Sequence, residues 1–403
     1  MGLSTMKPTT LTSIKFSSLA LCVAMTCQIS AQEYIIKYKS GATSAMAGFA
    51  QAAGTKGNKG QIFSEMGAST ILRSALVSDA RHVPEFNFSV AKLSLQQIAE
   101  LNNSGAVEYI EVDSKRYLYA ESVPYGITMV QAPLVSDAYT SNTKACIIDT
   151  GYTLGHPDLP SSGVTGYAFS GHGAWSTDGN GHGTHVAGTI AAIGRNNIGV
   201  VGVNPSAKLG LHIVKIFNNS GNWTTASNLV TAIQSCKNAG AKVVNMSLGG
   251  GSSNATEQNA LANFYQSGML LVAAAGNAGN SSLSYPASYS SVMSVAAVDS
   301  SRNRANYSQY NSQVEIAAPG SSVNSTYKNN SYATLSGTSM ATPHVTGVAA
   351  LVWSQFPTCS AARIRTALTA TAQDRGTAGR DVYYGFGIVR AQNALAYLQT
   401  NGC

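Results

Sequence analysis

"KACIIDTG", Lys144–Gly151, is an apolar run that ends on an acid, a hydroxyl and a glycine. Apolar residues standing side by side, without alternation, read as a strand covered on both faces. Two similar runs follow: "KVVNMSLGG" at Lys242–Gly250 and "GMLLVAAAGN" at Gly268–Asn277. Helical stretches separate the first two, "HVAGTIAAI" at His185–Ile193 and "LVTAIQSCKNAG" at Leu229–Gly240. This alternation predicts an α/β fold, a three-layer arrangement with helices on both faces of a parallel sheet.

In such a sheet, functional groups gather at the carboxyl ends of strands and the amino ends of the helices that follow. Four residues take such places. Asp149 ends "ACIID", and His182 lies in "DGNGHGTHVAG" just ahead of a helix. Asn277 follows "LLVAAAG", and Ser339 stands at the start of the helix in "SGTSMATPHVTGVAALVWSQF", which has the apolar spacing of a buried helix.

A serine hydroxyl is a poor nucleophile until a base takes its proton. Neutral imidazole does this near neutral pH, provided a carboxylate fixes its tautomer. Asp149, His182 and Ser339 supply those parts, and the Asn277 amide with the Ser339 backbone N–H supplies donors for an oxyanion. Singly, each residue has a plain structural reading, as a turn, a cap or a core histidine. "HGTH" spaces His182 and His185 for one helical face, but the glutamate of "HExxH" is missing, which argues against zinc chemistry. "GTSMA" lacks the last glycine of the "GxSxG" elbow, which argues against a lipase.

The 403 residues are 44% hydrophobic and only 11% charged, enough for a large core under a mostly uncharged surface. The net charge of +7 is scattered, with no basic run, so no nucleic-acid site is read from it. Lys7 and Lys15, the run "FSSLALCVAMTC" and small residues before Ala31 fit a secretory signal at 1–31, cut near Ala31–Gln32. The expected product is secreted, extracellular and free of the membrane. Cys22 and Cys27 leave with the signal. Cys146, Cys236, Cys359 and Cys403 remain, an even number that suggests two disulfides; three pairings stay open.

Before Ala120 the texture differs. "EYIIKYKS" (Glu33–Ser40) reads as a strand, "VAKLSLQQIAELNNSG" (Val90–Gly105) as a helix, and "AVEYIEVDSKRYLYA" (Ala106–Ala120) as a strand. Two strands framing a helix within 32–119 describe a small α+β domain ahead of a larger one at 120–403.

Taken together, "IIDTGY", "NGHGTHVAGTIAA", "NMSLGGG", "AAAGN" and "SGTSMATPHVTGVAAL" resemble the subtilisin-like serine proteases, in that family's Asp–His–Ser order. The resemblance spans Ala120–Cys403. It implies a serine endopeptidase with Asp149, His182 and Ser339 as triad and Asn277 as oxyanion donor, acting on protein and peptide substrates. It also implies that Ser247, Leu248 and Gly249 pair with the substrate backbone, opposite an edge at Asn219–Gly221. Ala274–Gly276 and Ser247–Gly249 would wall an uncharged pocket for a bulky apolar or aromatic P1 residue. Ser284 stands where many relatives have glycine at the pocket floor, which would shorten it.

The same resemblance implies a structural calcium held by Glu121, Asp158, Asn196 and Asn197, and no catalytic metal. The loop "GRNNIGV" (Gly194–Val200) is one residue longer than the family's and carries Arg195. The disulfides it implies are Cys146–Cys236 and Cys359–Cys403. Residues 32–119 resemble the family's propeptide, an inhibitor removed near Tyr119–Ala120 to leave a broad-specificity, monomeric enzyme. Two other readings compete. A catalytically dead peptide binder is disfavoured because all four positions are filled. A processing enzyme for basic P1 residues is disfavoured because only 10 of the 18 acids lie beyond Ala120.

Overall fold

The apolar runs become strands in a computed structural model, which describes residues 32–46, 55–56, 62–113, 121–222 and 224–403. The expected signal at 1–31 and the junction at 114–120 lie outside the described residues. The chain divides into two compact units, Met1–Tyr117 and Leu118–Cys403.

In the first unit, strands are β1 (Gln32–Tyr38), β2 (Thr55–Lys56), β3 (Ile62–Phe63), β4 (Ala80–Val83), β5 (Phe88–Leu93) and β6 (Val107–Val112). Helices are α1 (Ala42–Met46), α2 (Glu65–Ser74) and α3 (Leu95–Asn103). The main sheet is antiparallel with order β4-β5-β1-β6, and its core holds Ile36, Tyr38, Ile71, Leu72 and Leu101. Here the helix reading of Val90–Gly105 needs correction. Val90–Leu93 belongs to β5, where Val90 pairs with Ile35, and the helix starts only at Leu95. Ser94 sets that start: its hydroxyl accepts from Gln97 N–H while the Gln97 side chain accepts from Ser94 N–H. The unit is therefore a four-stranded sheet with helices, richer than two strands around one.

The second unit contains β7 (Lys144–Asp149), β8 (Val164–Ala168), β9 (Gly210–Lys215), β10 (Val243–Met246), β11 (Leu270–Ala274), β12 (Val292–Val298), β13 (Val314–Pro319), β14 (Val323–Tyr327) and β15 (Ser331–Leu335). Its helices are α4 (Tyr125–Met129), α5 (His182–Ala191), α6 (Ala226–Asn238), α7 (Ala255–Gln266), α8 (Thr338–Gln355), α9 (Ala361–Ala370) and α10 (Ala391–Asn401). Seven strands form one parallel sheet in the order β13-β12-β11-β10-β7-β9-β8.

Strand β7 shows why three layers form. Ala145 and Ile147 point into a core with Val186, Ile190, Val345 and Val348 of α5 and α8. Cys146 and Ile148 point the other way, into a core with Leu229 and Ile233 of α6. The Cys146–Cys236 disulfide joins β7 to α6, and Cys359–Cys403 joins the start of α9 to the tail. After β7 the chain builds β8 and β9 on one side and then returns to build β10 on the other. The reversal leaves a crevice at the carboxyl end of β7, where open α/β sheets bind ligands.

Two histidines inside this unit make its stability acid-sensitive. His185 on α5 and His344 on α8 are fully buried, and burial pushes each down to about 4. A group whose folded value is depressed adds stability that is complete above its unfolded value, near 6.5, and is lost as pH falls towards 4. Each is worth about 3 kcal/mol at most over that interval. Asp158, pushed up to about 6 by burial, works in the opposite sense over a similar range. We expect a net loss of unfolding free energy from pH 7 to pH 4, read from denaturant midpoints of the Ser339→Ala protein. A flat profile would show that these histidines accept protons without cost.

Candidate active site

Asp149 is the last residue of β7 and is buried. Its Oδ1 accepts from Thr150 N–H at 2.7 Å and from His182 Nδ1 at 2.7 Å. The proton of the neutral ring therefore sits on Nδ1, and Nε2 is left as the base. His182 is the first residue of α5, preceded by Gly181 at φ 99°. A Cβ on Gly181 would lie 2.5 Å from the Tyr327 ring, so glycine is required there twice over.

A second carboxylate organises this junction. Asp178 Oδ1 accepts from Gly181 N–H at 2.8 Å and from the Thr150 hydroxyl at 2.9 Å. Its Oδ2 accepts from Thr184 N–H at 2.8 Å and the Thr184 hydroxyl at 2.7 Å. Asp178 thus fastens the start of the histidine helix to the end of the aspartate strand. Sequence reasoning passed over it, because an acid in a glycine-rich loop ahead of a helix reads as an ordinary cap. Lys215, at the end of β9, was also missed. It is buried, and its Nζ donates to the Thr150 and Thr177 carbonyls and to Asn219 Oδ1. Burial lowers its pKa, while Asp178 and Asp149 pull the other way. Burial would likewise lower the His182 pKa, but Asp149, aided by Asp178, outweighs it and holds the imidazole above its ordinary value.

Ser339 is the second residue of α8, which packs against α5. Its Oγ donates to the Ser247 carbonyl at 3.2 Å, and the Ser247 hydroxyl donates to the Ser339 carbonyl at 2.8 Å. Among the described residues no hydrogen bond joins Ser339 to His182; such bonds often tighten only around substrate. Thr338 N–H is held by Asn277 and Met340 N–H by the Gly337 carbonyl, and among the described residues none accepts from the Ser339 N–H, which is available to an anion. Asn277 lies just past β11. Its Oδ1 accepts from Thr338 N–H at 2.8 Å and the Thr338 hydroxyl at 2.9 Å. With the oxygen held in this way, Nδ2 is the free end.

Ser339 and Asn277 border a cavity of about 520 Å³ whose walls include Leu248, Gly249, Ala274, Gly276 and Ser284, with no charged residue. Ser284 Oγ lies over Gly249, where an added Cβ would meet it at 2.5 Å. Gln309, absent from the sequence reading, closes another side; its Nε2 donates to the Ser282 carbonyl at 2.6 Å. Ser247 and Gly221 do not line this cavity. Ser247 instead holds Ser339, and Gly221 forms a turn with its N–H on the Asn218 carbonyl, close to Asn180.

The expected calcium residues come together, but not as a cage. Asp158 Oδ1 accepts from Asn196 Nδ2 at 2.7 Å, and Oδ2 from Val200 N–H at 2.8 Å. Tyr332 adds a further hydrogen bond to this carboxyl. Glu121 Oε2 accepts from Asn196 N–H at 3.1 Å, and Asn196 Oδ1 from Ile198 N–H at 3.1 Å. Asn197 sits at φ 62° in the same loop. Calcium needs six or more oxygens converging on one point. Here those oxygens meet N–H donors, so the residues as placed do not fit the ion. Among the described residues no group of three or more His, Cys, Asp or Glu is placed to hold a metal.

Residues 140–387 match the Subtilase family, Peptidase_S8. The chain is similar to subtilisin DY of Bacillus licheniformis, 45% identical over 281 residues, which are 68% of this chain and 99% of that protein. It is 44% identical to an alkaline protease of Shouchella clausii over 75% of this chain and 78% of the relative. Among solved structures it is similar to the psychrophilic subtilisin-like protease Apa1 from the Antarctic psychrotroph Pseudoalteromonas sp. AS-11. That match has a TM-score of 0.66 and 36% identity, covering 70% of this chain and 99% of the other. With its parallel sheet and its ordered motifs, the chain belongs to the subtilase family and is a subtilisin-type serine endopeptidase.

Proposed function

We propose that peptide bonds are cut through a covalent acyl-enzyme on Ser339, with His182 as base and Asp149 as its orienting carboxylate. The observation that carries this reading is the 2.7 Å contact of His182 Nδ1 with Asp149 Oδ1 at the sheet crevice. His182 Nε2 takes the Ser339 proton as Oγ bonds to the substrate carbonyl carbon. Asn277 Nδ2 and Ser339 N–H donate to the resulting oxyanion. The imidazolium then gives its proton to the departing amine as the C–N bond breaks. A water, activated by the same imidazole, hydrolyses the ester and restores Ser339.

Asn277→Ala is expected to leave KM nearly unchanged and to lower kcat by about 10²–10³, a magnitude taken from the matching asparagine of a subtilisin. Unchanged kcat would remove Asn277 from the oxyanion site. Because His182 is held above its ordinary pKa, kcat/KM is expected to rise with a midpoint above about 6.5. A midpoint well below that value would show that the two aspartates do not govern the base.

The uncharged cavity supports a bulky apolar or aromatic P1 residue and broad specificity on unfolded proteins. Reading the cleavage sites in one unfolded protein tests this; cuts confined to basic residues would overturn it. We further propose secretion by the signal at 1–31, and a propeptide at 32–119 that is cut by Ser339 after Tyr119 and remains as an inhibitor until degraded. The mature enzyme at 120–403 should then start within a few residues of Ala120, work as a monomer, and need no membrane. Among the described residues no helix is long and apolar enough to cross one. A stabilising calcium at Asp158 would require Asn196 to turn its amide oxygen inward. EDTA is therefore expected to leave kcat intact, and any influence of calcium to appear only in lifetime on heating.

A further inference from the structure

A second cavity, about 340 Å³, lies beside the first and shares its wall, Leu248–Gly251. Beyond that segment the two linings are different, so the segment stands between them. The second cavity is walled by Phe217, Leu229 and Tyr285, and by one charged residue, Glu257. Among the described residues that glutamate is the only ionisable carboxyl or base lining either cavity. It is 6% exposed. Tyr289 donates its hydroxyl proton to Glu257 Oε2 at 2.8 Å and accepts from Asn254 N–H at 2.8 Å. Oε1 receives no hydrogen bond from a described residue.

Glu257 lies in the first turn of α7, where an acid is ordinarily a helix cap. That task is already done by Asn254, whose side chain accepts from Glu257 N–H at 3.0 Å. The carboxyl reaches Tyr289 instead and leaves an oxygen over. Burial raises its pKa, while the hydrogen bond from Tyr289 lowers it. An incoming cation would favour the charged form.

An extended peptide laid along Leu248–Gly251 turns successive side chains to opposite faces. If P1 fills the cavity beside Ser339, the other cavity receives a side chain an odd number of positions upstream. P2 would lie nearest His182, which does not line the second cavity. P4, about 10 Å from P1, is the position that reaches it. We infer that Glu257 makes this pocket selective for a cationic P4 side chain, arginine above all. The apolar walls would cover the stem, and the carboxylate would meet the guanidinium. The inference rests on the P1 reading given above. The chain itself carries a matching sequence: with Tyr119 as P1, the P4 residue of "RYLY" is Arg116.

The test is kcat/KM of mature enzyme on three acetylated tetrapeptide p-nitroanilides, Xaa-Tyr-Leu-Tyr, with Arg, Leu or Glu as Xaa. Arg is expected to exceed Leu by about tenfold, with Glu last. In Glu257→Gln, which keeps an acceptor for Tyr289, the Arg-to-Leu ratio should fall to about one. Should that variant fail to fold, wild-type enzyme still decides: the ratio should shrink as salt rises from about 0.05 to about 1 M. Equal rates for all three peptides, a ratio unmoved by salt, or a ratio preserved in Glu257→Gln would overturn the role of Glu257 alone. Cleavage of none of them would overturn the P1 reading beneath it.

Discussion

Ser339→Ala is expected to lower kcat by about 10⁶, the magnitude known for the matching serine of a subtilisin. In the proposed mechanism the hydroxyl is the atom that forms the acyl bond, and no neighbour is placed to replace it. Ser247, its hydrogen-bond partner, is turned toward the Ser339 carbonyl and has its own hydroxyl engaged. The variant should still bind peptide, because the cavity walls and the Asn277 amide are untouched. Residual hydrolysis should therefore sit about 10³–10⁴ above the uncatalysed rate. The same variant, expressed without other proteases, should keep residues 32–119 attached. A fall of less than about tenfold would place the nucleophile elsewhere; an N-terminus near Ala120 would assign the cut to another protease.

Asp149→Ala is expected to lower kcat by about 10⁴, less than loss of the serine because the base itself survives. Two donors lose their acceptor together, His182 Nδ1–H and Thr150 N–H. The ring is then free to turn and to place its proton on the wrong nitrogen. Asp149 also holds the His182 pKa up against burial. The residual activity should accordingly have its acid midpoint at lower pH than wild type. This second readout separates orientation from a general loss of folding. A kcat drop with an unmoved midpoint would mean that Asp149 supports structure but not the charge on the imidazolium.

Strand β7 and its terminal Asp149 were legible because burial on both faces leaves an unbroken apolar run, and the acid stands where that run stops. The small residues ahead of a long apolar helix marked Ser339 as a cap or a nucleophile, and only the resemblance of the ordered motifs chose between the two. The orientation of Asn277 was not legible. It depends on Thr338, 61 positions away, whose N–H and hydroxyl both seize the amide oxygen. Asp178 and Glu257 were hidden for a common reason. Each stands ahead of or within a first helical turn, where acids are ordinary, and only the fold shows which oxygens are already engaged. Val90–Leu93 misled because its apolar spacing runs on into a true helix, and a single capping serine marks the boundary. The calcium set was legible only as residue types, which do not reveal whether the Asn196 amide turns its nitrogen or its oxygen toward Asp158.

The central position of β7 has a kinetic consequence. Its partner β10 begins with Val243 opposite Ala145, so the pairing must wait until the intervening strands and helices have been threaded. No tight turn can close a parallel pair, and every ladder of the large sheet is non-local. Folding of such a topology is slow, because chain entropy is lost well before the contacts that reward it form. Unfolding crosses the same barrier from the other side. An endopeptidase surrounded by its own copies loses any molecule that opens, so its working life follows the rate at which β7 and β10 part, and not the equilibrium between folded and unfolded chains.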